Sequence, residues 1–139
     1  MKKYFAVIDT NVLVSSFLKR DSIPNKIIRY CLEGPIVPLL NYEIFNEYVD
    51  VLTRKKFNFD VNEVREVLVH FSNRAVFLDR TVSEEYFADT NDIVFYEIAL
   101  TARKATDAFL ITGNIKHFPI KSFIVTPKEM LDIIRKGKE

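Results

Sequence analysis

The 139-residue chain is short of cysteine, glycine and proline, with one, three and five of each. A lone Cys31 excludes a disulfide framework and points to a reducing compartment. So few glycines and prolines leave little room for flexible linkers. No internal repeat or low-complexity segment divides the chain, so residues 1–139 read as a single domain, large enough for a core without a structural metal. The net charge is only +1, so no global field announces a nucleic-acid partner. The apolar run behind Lys2 and Lys3 stops at Asp9, too short for a signal peptide or a membrane span. A cytoplasmic protein is expected. Also missing are a P-loop, a glycine-rich dinucleotide fingerprint and a paired-cysteine zinc site.

What is present is a regular alternation of strand-like and helix-like segments. Tyr4, Phe5, Ala6, Val7 and Ile8 form an apolar run rich in strand formers, suited to a strand buried on both faces. Val12 to Leu18 continues as a short helix. Ser22-Ile23-Pro24 reads as a helix start, with Asn25 to Glu33 behind it and Gly34-Pro35 as the stop. Ile36 to Leu40 is a short strand interrupted by Pro38. Asn41 caps an amphipathic helix reaching Arg54, and Asp60 to Phe71 forms another at helical spacing. Ala75 to Leu78 is a strand. Asp89 to Asp92 is a polar break before Ile93 to Ala102, which is apolar nearly all round except for Glu97 and Thr101 and so describes a buried helix. Phe109 to Thr112 and Phe123 to Val125 are strands. Thr126-Pro127-Lys128-Glu129 then fits a capping box opening the last helix. This alternation predicts an α/β fold, with a parallel sheet between helical layers.

Several polar residues fall where an apolar element meets a loop: Asp9, Asn114 and the pair Asp89 and Asp92. In an open parallel sheet, ligands bind beyond the carboxyl ends of the strands. Asp9 therefore reads as a functional carboxylate, as part of a surface turn, or as an Asx cap of the helix starting at Val12. Glu47 is the fourth acid of interest. On a helical wheel it lies roughly 115° from the apolar centroid, against about 155° for Glu43 and 175° for Asp50. It is either a carboxylate held toward a partner or a boundary glutamate with a packed stem and a wet head. Three or four acids in one place suit Mg²⁺ or Mn²⁺, hard cations that take oxygen ligands and activate water against phosphodiesters. His70, inside a helix, and His117, in a loop, read as structural or exposed, and Cys31 as core.

Val7 to Ser15, with Asp9-Thr10-Asn11 at its centre, resembles the opening of PIN-domain ribonucleases. Tyr42 to Leu52 resembles their second acidic motif, with Glu47 in the metal-binding place. Asp89 to Ala99 resembles the third, with Asp92 as ligand and Asp89 nearby. Phe109-Leu110-Ile111-Thr112-Gly113-Asn114, followed by Lys116-His117-Phe118-Pro119, resembles the fourth strand and turn. Ile124 to Glu129 is similar to the ending of toxin-type, VapC-like members. The resemblance runs in order along nearly the whole chain. It implies an α/β/α sandwich with a mostly parallel sheet and a Mg²⁺- or Mn²⁺-dependent endonuclease for single-stranded RNA. It also implies a toxin held by a small antitoxin protein. Asp9, Glu47 and Asp92 become the catalytic acids and, with Asn114, the metal ligands; Thr10, Asn11, Asp89 and Thr112 become supporting or substrate-contacting residues.

Many members of the resembling family carry aspartate where Asn114 stands, while others, especially with the following Lys-His-Phe-Pro, carry asparagine. Asparagine offers a carbonyl oxygen without charge, so metal affinity should fall, or one ion should bind instead of two. Asp107, just before the fourth strand, reads as a solvated acid. Small basic clusters at Lys19-Arg20, Arg54-Lys55-Lys56, Arg103-Lys104 and Lys116 could neutralise phosphates, although basic helix ends are favoured in any case. A haloacid-dehalogenase-like phosphatase needs an acid where Asn11 stands. A receiver-like module needs an aspartate and lysine pair that is absent. The remaining rival is a catalytically weakened PIN fold that binds RNA or an antitoxin. A homodimer is an oligomeric state open to such a domain.

Overall fold

The computed structural model describes residues 2–137. Its elements are β1 Tyr4–Ile8, α1 Thr10–Leu18, α2 Ile23–Glu33, β2 Ile36–Leu40, α3 Tyr42–Leu52, α4 Val61–Arg74, β3 Val76–Phe77, α5 Ile93–Arg103, β4 Phe109–Ile111, β5 Ile124–Val125 and α6 Pro127–Lys136. Single 3₁₀ turns stand at Thr90–Asp92 and Ile115–His117. The sheet is parallel throughout, in the order β3-β2-β1-β4-β5. Parallel strands need crossovers, and the helices that supply them sandwich the sheet as an α/β/α fold. No described helix is long and apolar enough to cross a membrane.

Local chemistry sets the element ends. Ser22 accepts from the Asn25 N–H, Asn41 from Ile44 N–H, and Asp60 from the N–H groups of Asn62 and Glu63. Thr126 and Glu129 close the expected capping box. Pro38 sits inside β2 without breaking it. The Pro35 carbonyl accepts from Tyr4 on the β1 side and the Leu40 carbonyl from Leu78 on the β3 side. Alternation then turns the Pro38 nitrogen toward β3, which begins only opposite Leu39, so no ladder bond is lost there.

β1 is the centre of the fold: Ala6, Val7 and Ile8 are wholly buried. β2 lies to one side and β4 to the other, so the chain reverses its direction of sheet growth at β1. The crevice at such a reversal, beyond the strands' carboxyl ends, is where open α/β sheets bind ligands. α5 packs across β1, β2 and β4, while α2 packs against α1, α4, α6 and β2. The expected buried helix is present as α5, and its Glu97 is buried at 5% exposure. That carboxylate accepts from Arg80 Nε and from the Ser83 N–H, both at 2.7 Å.

Arg74, at the end of α4, closes the opposite end of the sandwich. Its guanidinium donates to the carbonyls of Cys31 at 2.7 Å and Gly34 at 3.0 Å, with longer bonds to Tyr30 and Ile36. It thus satisfies the orphan carbonyls at the C-terminus of α2 while complementing the helix dipole. Arg74→Met should cost about 2–3 kcal/mol, since hydrogen bonds to a charged group are the stronger kind. The measurement is the urea midpoint, and an unchanged midpoint would show that water replaces these bonds without loss.

Candidate active site

The chain delivers polar side chains to the carboxyl edge through three separate turns. β1 ends at Ile8 and α1 begins at Thr10, so Asp9 is pinned between a central strand and a helix. Its N–H donates to the Ile111 carbonyl at 3.0 Å, in register with β4. Asp9 occupies the residue before α1, yet its side chain makes no capping bond there. One carboxylate oxygen, Oδ2, instead accepts from Thr112 Oγ1 at 2.8 Å and from Asn11 Nδ2 at 3.1 Å. The group is 5% exposed. Of the readings open in the sequence, the surface turn and the cap are therefore the ones the geometry does not support.

Asn11 and Thr112 each act twice. Asn11 Oδ1 accepts the Gly113 N–H at 3.0 Å, joining the turn after β4 to the first turn of α1. A Cβ at Gly113 would stand 3.3 Å from that oxygen, tight enough to press the Asn11 amide back by a few tenths of an ångström. Thr112 Oγ1 accepts the Asn114 N–H at 2.9 Å while donating to Asp9. Thr10 Oγ1 donates to Glu47 Oε2, fixing the direction of that carboxylate. Glu47 is only partly buried, as a boundary position on the wheel predicts. Its neighbour Tyr48 is buried and donates its hydroxyl to the Ile8 carbonyl, bracing the strand just before Asp9.

Asp92 closes the 3₁₀ turn from which α5 departs, and its Oδ2 is buried without a hydrogen-bond partner. Asp89 starts the same turn, exposed, and accepts the Asn91 N–H at 2.9 Å. Asn114 is also exposed, and its side chain does not cap the turn that follows. His117 was set aside in the sequence. It is exposed, yet its Nδ1 lies 3.5 Å from Asp92 Oδ2. Contact across 25 residues between two irregular turns leaves no periodic trace, which is why the pattern concealed it. Three of the basic clusters spend a side chain on the protein itself: Arg20 pairs with Glu63, Arg54 with Asp50, and Arg103 donates to the Ala108 carbonyl. Asp107 is exposed, as expected.

The acids feel one another. Burial, followed by the charges of Asp92 and Glu47, raises Asp9 from the usual 3.8 to about 6, against the lowering effect of the Thr112 bond. Asp92 is raised by burial first, then by Asp89 and Glu47, with His117 opposing. Among the described residues, no three His, Cys, Asp or Glu side chains close into a ready-made metal cage. The donor set nonetheless suits a hard divalent cation. It offers oxygen ligands, mutual repulsion that a cation relieves, and a buried Asp92 oxygen that faces the His117 ring at 3.5 Å without a well-formed hydrogen bond.

An acid whose folded pKa lies above its unfolded one holds its proton more tightly in the folded state. Between pH 4 and 6 the unfolded chain loses the Asp9 proton first, so metal-free stability falls as pH rises through that window. Asp9→Asn removes the effect. In chelator, its stability relative to the parent should improve by up to roughly 2–3 kcal/mol between pH 4 and pH 7, the worth of a two-unit shift. Urea midpoints at the two pH values measure this, and a difference independent of pH would remove Asp9 from the list of strained carboxylates.

A PIN-domain family model matches residues 6–116. An uncharacterized protein of Methanocaldococcus jannaschii is 27% identical over 149 residues, spanning 96% of this chain and 94% of that protein. The matched span contains the end of β1, α3, the start of α5 and the turn after β4, and with them Asp9, Glu47, Asp92 and Asn114; His117 lies one residue beyond it. The chain belongs to the PIN-domain family, a nuclease fold.

Proposed function

We propose that this protein is a Mg²⁺- or Mn²⁺-dependent endonuclease for single-stranded RNA. The observation that carries the reading is the buried Asp9 carboxylate at the switch point of the sheet, held by Thr112 and Asn11, with Asp92 and Glu47 near enough for their charges to help raise it. Fold stability alone gives no reason to bring three carboxylates together there. In this reading Asp9, Glu47 and Asp92 hold the metal, with the Asn114 side-chain oxygen as a neutral fourth donor. When bound, the ion supplies charge for the phosphate and acidifies a water for attack on phosphorus. The protein supplies orientation. Thr112 and Asn11 fix Asp9, Thr10 fixes Glu47, and His117 stands beside Asp92.

The cellular setting we attach to this activity is the toxin of a toxin–antitoxin pair, restrained by a small antitoxin protein. Its support is the likeness of Ile124 to Glu129 to the ending of toxin-type PIN domains. Expression of the wild-type chain should then arrest growth, and Asp9→Asn should not.

Cleavage of single-stranded RNA should require Mg²⁺ or Mn²⁺ and stop in chelator. Asp9→Asn should lower it by more than the 10–100-fold typical of losing an outer-shell partner, and Thr112→Val should fall near that range. Undiminished cutting in chelator, or by Asp9→Asn, would end the metal reading. Asn114→Asp adds a charge at nearly constant volume. It should raise the melting temperature in millimolar Mn²⁺, since ligand charge tunes affinity, and lower it in chelator through repulsion with Asp9 and Asp92. Identical melting of both proteins in both buffers would take Asn114 out of the site.

A further inference from the structure

Beside the acids lies a cavity of about 420 Å³, bounded by Tyr86, Asp89, Asp92, Lys116, His117 and Pro119 among others. That volume falls within the roughly 300–1,000 Å³ of small-molecule sites. One wall comes from the turn after β4, the other from the segment between β3 and α5, where residues 78–89 have no regular structure.

Tyr86 is 86% exposed, although both of its neighbours are fastened down. Glu85 pairs with Lys121 at 3.1 Å, and Phe87 is buried against the rings of Tyr96 and Phe118 at 5.5 and 6.0 Å. The backbone on either side of Tyr86 is thus tied to the fold, and the Tyr86 ring projects outward. No aromatic ring among the described residues packs against it. An exposed aromatic face without a ring partner suits an occupant that stacks.

The charges of the wall are equally specific. Behind the wall, Lys121 is spent on Glu85, and on it His117 stands beside Asp92. Lys116, the lysine that lines the cavity, has no ion-pair partner among the described residues. A ring for a base and a free cation for a phosphate thus flank one cavity that opens beside Asp92.

We propose that this cavity is a nucleotide subsite. It takes the RNA nucleotide next to the cleaved linkage, with the base stacked on Tyr86 and a phosphate neutralised by Lys116. The proposal rests on the nuclease reading above, and names side chains that position the substrate without taking part in the chemistry.

The test measures binding of a fluorescent single-stranded RNA decamer, and of a base-free ribose-phosphate decamer, to Asp9→Asn protein in Mn²⁺. Tyr86→Ala added to this parent should weaken RNA binding about 5- to 100-fold, the usual range for one stacked base. It should leave the base-free strand unaffected, and Tyr86→Phe should bind as the parent does. Lys116→Gln should weaken both strands and reduce the dependence on log salt by about 0.7, one phosphate's share. Unchanged melting would show that each variant is folded. Parent-like RNA binding by Tyr86→Ala, or equal loss on both strands, overturns the subsite. Cleavage by the wild-type protein is followed in parallel. If the wild type cuts RNA while Tyr86→Ala binds like the parent, the subsite alone fails. If the wild type neither binds nor cuts RNA in Mn²⁺, the nuclease reading falls and takes the subsite with it.

Discussion

The carboxylate of Asp9 is buried at the end of the central strand, where a charge is costly unless something meets it. What meets it is Thr112 from the far side of the switch point and Asn11 from the first turn of α1. Those same two side chains hold the turn after β4, through the N–H groups of Gly113 and Asn114. One costly group thereby fixes the relation of β1, α1 and the β4 turn. The remaining acids are placed against that frame: Glu47 through Thr10, and Asp92 through the start of α5, the helix that spans the sheet beneath. Satisfying the buried charge and building the edge of the sheet are one set of hydrogen bonds.

The fold was largely legible because its signals are local. A run such as Tyr4 to Ile8, or the Thr126 and Glu129 capping box, needs only its neighbours in sequence to be read. Pro38 was the one ambiguous strand residue, and its tolerance depends on the start of β3, which no local pattern records. The irregular segment before α5 was also unread, since it is held by long-range contacts such as Arg80 and Ser83 on Glu97. Glu97 itself was visible as a misfit on an apolar helix, but its partners were not.

The candidate site divides along the same line. Asp9, Asp92 and Asn114 stood out because each ends an apolar element, and the wheel selected Glu47 from three acids on one helix. Their supports were legible only as members of a resembling motif. The structure supplies what composition cannot: which atom of Asn11 faces which turn, and that Thr112 both donates and accepts. His117 escaped because a loop residue has no periodicity to violate. Tyr48 escaped because a buried tyrosine reads as apolar until its hydroxyl is traced.

The two outermost strands, β3 and β5, are two residues long each, while the longer β1 and β2 lie inside. A sheet margin is a template on which a second chain can add its own backbone, and the hazard grows with the length of unpaired ladder. Here each margin offers a passing strand almost nothing to copy. With a net charge of +1, copies of this protein repel one another only weakly. Resistance to fibrillar stacking therefore falls to strand order: the sequence keeps its β-prone segment Tyr4 to Ile8 in the middle of the sheet, with two strands between it and either margin.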